Sequence, residues 1–417
     1  MPSAHVPAPA SERLHALDAV RAFALLLGIV LHAAISFLPP GPSRLWFIED
    51  THPSRVLGII TFAIHVFRMT TFFLLAGFFA RMSLHRRGSA RFVMDRLQRI
   101  ALPLVMAWPL VFAPMVAVVM WASQFPHGGP VPGMGGWPPV LPRFPLAHLW
   151  FLYVLLELYA AALLLRWVVA TMDTEGRLRA AADRLFAAVM QSRLAPAILA
   201  LPILIALSLD TSWVGFIGVR TPDQSLITNG QAWIGFGSAF AVGWQLHRQI
   251  ALLRVLERRW LINAVVALGL IALSFALAFA VTLVSAGAWA APIDLATIRL
   301  AGAIAYALAI WTTTFAVIGL ALRFMSGFSR IRRYLADASY WLYLIHMPIV
   351  MALQVAVSQL DWPWPAKYAI ILVVAVPVML ASYHLLVRDT IIGRVLNGRR
   401  AHHGDAPRTA AMKPAST

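Results

Sequence analysis

The stretch LDAVRAFALLLGIVLHAAI, residues 17–35, has the length and apolarity of a membrane-spanning helix, yet it carries Asp18, Arg21 and His32. A charged side chain at the centre of such a helix costs about 2.5 to 3.5 kcal/mol on insertion scales, so these residues usually face a bundle interior or an aqueous cavity. Arg21 and His32 are 11 positions apart. At about 100° per residue this is three turns plus roughly 20°, which puts both on one face, roughly 16 Å apart along the axis. Asp18 lies one turn before Arg21 and can pair with it. Taken alone, Asp18 and Arg21 also suit a snorkelling ion pair at the membrane surface, whereas an interior imidazole at His32 still needs a partner.

The rest of the chain continues the theme. Its 417 residues are 60% hydrophobic and 12% charged, with a mean hydropathy of +0.75, whereas soluble domains are about a quarter charged. Apolar runs recur from end to end and predict an all-α, polytopic membrane bundle. Ten spans are expected, near 17–37, 57–80, 100–121, 147–165, 194–210, 231–247, 261–284, 299–322, 335–358 and 367–387. Of the 34 Lys and Arg, 26 fall in the tails and even-numbered loops and 5 in the odd-numbered loops. This alternation follows the positive-inside rule and predicts that both termini are cytoplasmic. The same asymmetry accounts for the net charge of +17 without nucleic acid as a partner. The N-terminus has neither the basic region nor the cleavage site of a signal peptide, so residue 17 onward reads as a retained first span. With no Cys in the chain, disulfides, thiolate catalysis and Cys-ligated zinc are excluded.

One membrane domain over 13–390 is expected, between a flexible tail at 1–12 and a basic, disordered cytoplasmic tail at 391–417. The non-cytoplasmic segment SQFPHGGPVPGMGGWPPVLPRFPLAH, residues 123–148, is rich in Pro and Gly. It is long for a connection, and it can be a plain irregular loop or a cover over a site that offers Trp137, Arg143 and Phe144 to a sugar or peptide. Pro103, Pro109 and Pro114 predict a kinked third span, and Gly235, Ala239 and Gly243 form a small-residue stripe that favours close packing of the sixth.

Further polar residues interrupt the other spans. The second carries His65 and Arg68 on one face; the fourth opens HLWFLYVLLELY, with His148 at the outer surface and Glu157 deeper; the ninth reads SYWLYLIHMPI, with Tyr340, Tyr343 and His346 in one stripe. At the entry to the third span, RFVMDRLQRIALP sets Arg96 and Arg99 one turn apart, a pair able to grip a phosphorylated ligand from the cytosol. Each residue alone can be a satisfied buried group or ordinary membrane-surface charge; together they predict a polar cavity through the bundle. No G-x-S-x-G elbow, Walker-type loop or HExxH motif is present, and no His pair within a span has the spacing of a zinc site, so no metal is expected. A buried imidazole fits a general base that takes a hydroxyl proton while the alcohol attacks an activated acyl group. Glu157 could orient that base or stabilise its imidazolium.

With its Arg-x10-His in LDAVRAFALLLGIVLH, its Arg-x-x-Arg in RLQRIALP, and the forms FFLLAGFF, HLWFLYVLLE and SYWLYLIHMPI, the chain resembles membrane acyltransferase family 3 over nearly its whole length. The HLWFL and YLIH forms look most like the group concerned with glucan biosynthesis, which is associated with succinyl substitution of periplasmic glucans. The resemblance implies ten core helices in a bacterial cytoplasmic (inner) membrane, acetyl- or succinyl-coenzyme A as cytoplasmic donor, and an extracytoplasmic carbohydrate or lipid-linked glycan as acceptor. It implies His32 as the essential histidine and Arg21, Arg96 and Arg99 as donor-associated arginines. His148, Glu157 and His346 are additions made from polarity and depth, with Asp18, His65, Arg68, Tyr340 and Tyr343 as supporting groups of the cavity. Some members carry a fused SGNH-type domain; its absence from these residues would require a separate extracytoplasmic partner for any two-stage transfer. A proton-coupled transporter or glycan exporter is the rival expectation, since a polar cavity with buried Arg, Glu and His also describes a carrier; inverted repeats, which would favour it, are not evident.

Overall fold

The computed structural model describes residues 10–40, 44–131, 141–213 and 215–397. Fourteen α-helices make up its architecture, and the described residues contain no strand, only two isolated bridges. In chain order they are α1 (Ala10–Ala34), α2 (Arg55–Arg87), α3 (Ser89–Arg96), α4 (Leu102–Ala122), α5 (Trp150–Met172), α6 (Arg177–Gln191) and α7 (Ala195–Leu209). There follow α8 (Gly230–Arg248), α9 (Leu253–Arg258), α10 (Trp260–Ser285), α11 (Leu295–Phe324), α12 (Arg330–Ser358), α13 (Trp364–Ser382) and α14 (Ile391–Asn397). Local signals set several starts. Ser54, Asn229, Asp294 and Ser329 each precede a helix and accept a backbone N–H with the side-chain oxygen, which satisfies one of the free donors of the first turn.

Among the described residues eight helices are long and apolar enough to cross a membrane alone, and the bent pair α6–α7, which turns by 109°, makes a ninth if it is one span. The chain is therefore a polytopic helical membrane protein. Against the ten expected spans, the sixth coincides with α8, which is 19 residues long; its Gln231, Gln245, His247 and Arg248 leave it less apolar than the others. What suits α8 to its place is packing. A side chain at Gly243 would collide with the backbone of Leu74 on α2, and one at Gly77 of α2 would collide with the backbone of Phe240 on α8. The two helices thus touch backbone to backbone, the close approach that small residues permit. Gly235, also in the expected stripe, meets Ile203 of α7.

The tail was also expected to be disordered from 391; instead residues 391–397 form α14, whose Leu396 is buried, because Ile391, Ile392, Val395 and Leu396 supply an apolar turn. The rest of that tail, most of the expected N-terminal tail and Trp137 lie outside the described residues.

α11 is the most enclosed span, with 78% of its membrane window buried, whereas α4 has 11%. Leu110 on α4 and Leu268 on α10 are 72% and 70% exposed, as side chains facing lipid are. At the basic end, Arg166 donates to Ser89 at 3.0 Å and Arg248 pairs with Asp183. At the opposite end the connections are tied by Lys367, whose Nζ lies 3.0 Å from both carboxylate oxygens of Asp50 with both side chains buried. Breaking one half of a buried pair typically costs 3–5 kcal/mol.

Candidate active site

Two cavities enter the bundle and share part of their walls. α1 lines both, because Asp18, Arg21, Leu25, Gly28 and His32 alternate three and four positions apart and so fall on one face. The stripe expected on α12 does the same: Tyr340 lines the cavity at the basic end, His346 the cavity at the other, and Tyr343 both. Leu25, Phe72, Phe151 and Tyr343 are the common residues, so these four side chains form the partition between the two cavities.

The basic-end cavity, about 300 Å³, is lined by Asp18, Arg21, Arg96, Arg99, Arg333 and Asp337 among others. Arg21 pairs with Asp18 at 3.2 Å, as expected from their spacing, and lies over the ring of Phe79. Arg96 is sandwiched between the rings of Phe92 and Tyr159, 4.9 and 5.1 Å from their centroids, contacts that fix its direction. Directly after Arg96 the helix widens into a π-helical turn, Leu97–Ala101, that contains Arg99, a distortion frequent at functional sites. Tyr340 Oη donates to the carbonyl of Arg99 at 2.7 Å, which supports the widened turn. Arg333 and Asp337, paired at 3.3 Å, were not singled out in sequence; they sit on α12 two turns and one turn before Tyr340.

The larger cavity, about 700 Å³, gathers His32, His65, Arg68, His148 and His346. The rings of His32 and His346 are 5.2 Å apart, and those of His346 and His148 are 4.9 Å apart. His346 Nδ1 lies 2.7 Å from the carbonyl oxygen of Tyr343, and His148 Nε2 lies 3.2 Å from that of Leu344. A carbonyl only accepts, so these contacts place the ring proton on His346 Nδ1 and on His148 Nε2. His346 Nε2 and His148 Nδ1 are then lone-pair acceptors, and both are buried without a protein partner. Tyr343 Oη donates to the carbonyl of His148 at 2.8 Å, locking α12 to the start of α5.

His32 is held from outside. Gln354 Nε2 donates to the carbonyls of His32 and Ala33 at 2.9 and 3.2 Å, and Trp46 Nε1 donates to Gln354 Oε1 at 2.9 Å. The Trp46 ring stacks on the His32 imidazole with centroids 6.3 Å apart. Trp46 and Gln354 were missed in sequence, although Gln354 continues the α12 polar stripe two turns beyond His346. Glu157 is not brought to His32. It lines neither cavity, and its Oε2 accepts from Thr228 Oγ1 at 2.6 Å, because its position on α5 turns it toward the connection before α8. The acid that does face the larger cavity is Asp223; burial pushes its carboxyl above the usual carboxylate range, against the hydrogen bonds from Gln224 and Thr221.

The Pro- and Gly-rich connection does cover the cavity in part, through Pro130, Val131 and Pro145. Phe144 packs on Trp108 at 4.8 Å rather than facing the cavity, and Arg143 is exposed. No group of three His, Asp or Glu among the described residues is arranged to hold a metal ion.

Comparison with known proteins bears on what these cavities do. The model of the family described as an acyltransferase domain matches residues 14–384. Glucans biosynthesis protein C of Shigella dysenteriae serotype 1 (strain Sd197) is 31% identical over 149 residues, 36% of this chain and 37% of that protein. The proteins of the same name from Salmonella paratyphi B (strain ATCC BAA-1250 / SPB7) and Salmonella heidelberg (strain SL476) are 29% identical over 170 residues, 40% of this chain and 42% of theirs. The chain thus spans about two fifths of the length of the curated relatives it matches. No solved structure matches.

Proposed function

We propose, on the premise that this chain belongs to the acyltransferase family 3 and is a multi-pass bacterial membrane acyltransferase, that it moves an acetyl or succinyl group from cytoplasmic acyl-coenzyme A to a hydroxyl of an extracytoplasmic glycan. The observation that carries this reading is the pair of cavities with a common partition, arginines on one side and imidazoles on the other. Coenzyme A has a phosphorylated end and a thioester end joined by a long arm. Arg21, Arg96 and Arg99 bind the phosphates with charge-assisted hydrogen bonds, and the arm passes between Leu25, Phe72, Phe151 and Tyr343. The thioester then lies beside His32, roughly 16 Å from Arg21 along α1.

The acceptor enters the larger cavity from the opposite end, where the cytoplasmic (inner) membrane faces the glycan, free or lipid-linked. Its hydroxyl oxygen attacks the thioester carbonyl while His32 takes the hydroxyl proton. The tetrahedral intermediate collapses, the C–S bond breaks, and the leaving thiolate takes the proton back from His32. The new O–acyl bond stays on the glycan. His346 and His148, fixed with lone pairs turned away from their carbonyl partners, orient the acceptor hydroxyl. Gln354 and Trp46 take the positioning role that the sequence assigned to Glu157.

The test is to incubate the purified full chain with radiolabelled acetyl- or succinyl-coenzyme A and a cell-envelope glycan fraction. Label is expected in the glycan, and the His32→Ala protein is expected to bind coenzyme A without transferring label. Normal transfer by that variant sinks the base assignment, and vesicle uptake of glycan without acylation favours a carrier.

A further inference from the structure

Arg68 has no role in the transfer just described, yet it stands inside the larger cavity on α2, one turn after His65. Its Nε is buried without a partner, and among the described residues no carboxylate lies within ion-pair distance of its guanidinium. Asp223, the acid in the same cavity, is hydrogen-bonded to Thr221 and Gln224 instead. A cation at membrane depth without a counter-ion is expensive, and such residues mark a ligand path by default. Its position is fixed by α1: a side chain at Gly28 would collide with Arg68 Nη1, so the absence of one there lets the guanidinium reach the cavity. Gly28 precedes His32 by four residues, about 6 Å along the helix. The guanidinium therefore sits one turn from the proposed base, on the wall that both share.

We infer that Arg68 is a carboxylate-binding residue that selects the acyl group: it holds the distal carboxylate of a short dicarboxylic acyl chain while the thioester carbonyl lies at His32. This rests on the acyl-transfer reading above for the identity of the ligand, but not for the existence of an anion site. The planar guanidinium suits a carboxylate bidentately, and a neutral chain of equal length leaves it unpaired. An acidic sugar of the acceptor presents the same chemistry, so the source of the carboxylate has to be separated from its binding.

The experiment is isothermal titration of the full chain in lipid nanodiscs with succinyl-coenzyme A, butyryl-coenzyme A, free succinate and a uronate-bearing oligosaccharide. The wild-type protein should bind the succinyl thioester at least about tenfold more tightly than the butyryl thioester. The ratio should collapse toward one in Arg68→Gln and, independently, in Gly28→Ala, with a monodisperse elution profile in each case. Equal affinities in the wild type, or a ratio that survives both substitutions, overturns the assignment. So does an Arg68-dependent preference confined to the oligosaccharide. Arg68-dependent binding of succinate without binding of either thioester keeps the carboxylate site and removes coenzyme A as its carrier.

Discussion

The two cavities are built from the same helices but on different terms. At the basic end the arginines are cushioned: Arg21 rests on Phe79 and Asp18, Arg96 between two rings, Arg333 on Asp337. The side chains of Arg21 and Asp18 remain 37% and 28% exposed. Beyond the partition the imidazoles of His148 and His346 are buried and tethered by main-chain carbonyls, and their other nitrogens have no partner. One region pairs or stacks its charges and leaves Arg21 and Asp18 partly exposed, although Arg96 Nε lacks a partner there too. The other leaves polar atoms unsatisfied, and a buried unsatisfied group is one that gains on meeting a substrate. On the proposed reading, binding and reactivity are separated along a single helix face.

Substitutions on either side should separate in kind as well as size. Removing the imidazole with His32→Ala should lower transfer by about 10²- to 10⁴-fold, the usual worth of a positioned general base, with donor affinity retained; equilibrium dialysis with coenzyme A beside the label-transfer assay checks both halves. Arg96→Ala or Arg99→Ala should weaken donor binding by roughly 10- to 100-fold, the loss of one hydrogen bond to a charged group. Their turnover at saturating donor should stay close to wild type, so a defect confined to acceptor affinity would break the division. Gln354→Leu, which frees the carbonyl of His32 without touching its ring, should reduce kcat about tenfold through misplacement. A KM-against-kcat comparison reads this, and a pure KM effect would move Gln354 to acceptor binding. Asp18→Asn should be the mildest, under about fivefold in donor KM, because a half-exposed ion pair contributes about 1 kcal/mol or less.

Helical class, span positions and the Arg21–His32 face were legible in the sequence because a bilayer imposes strong rules on apolar length and on charge. The Tyr340–Tyr343–His346 stripe was legible for the same reason, as helical spacing predicts a shared face. α8 is short of the apolarity of the other spans, but its small-residue stripe was legible: Gly243 meets the backbone of α2 and Gly235 meets Ile203 of α7. Glu157 misled because depth along a helix was read without its rotation, and 157 points away from the face that carries 148, 151 and 155. Trp46 and Gln354 escaped because their function is to hold the His32 main chain and ring, across 308 positions of sequence from each other. The π-helical turn that follows Arg96 and contains Arg99 left no mark in composition.

The Asp50–Lys367 pair has a consequence for how the protein is made. Its halves are 317 residues apart, so during synthesis the first outer connection must wait, with an unmatched acid, until nearly every span has been threaded. The pair can close only after α13 has been made, and a chain halted before that point leaves Asp50 without its cation.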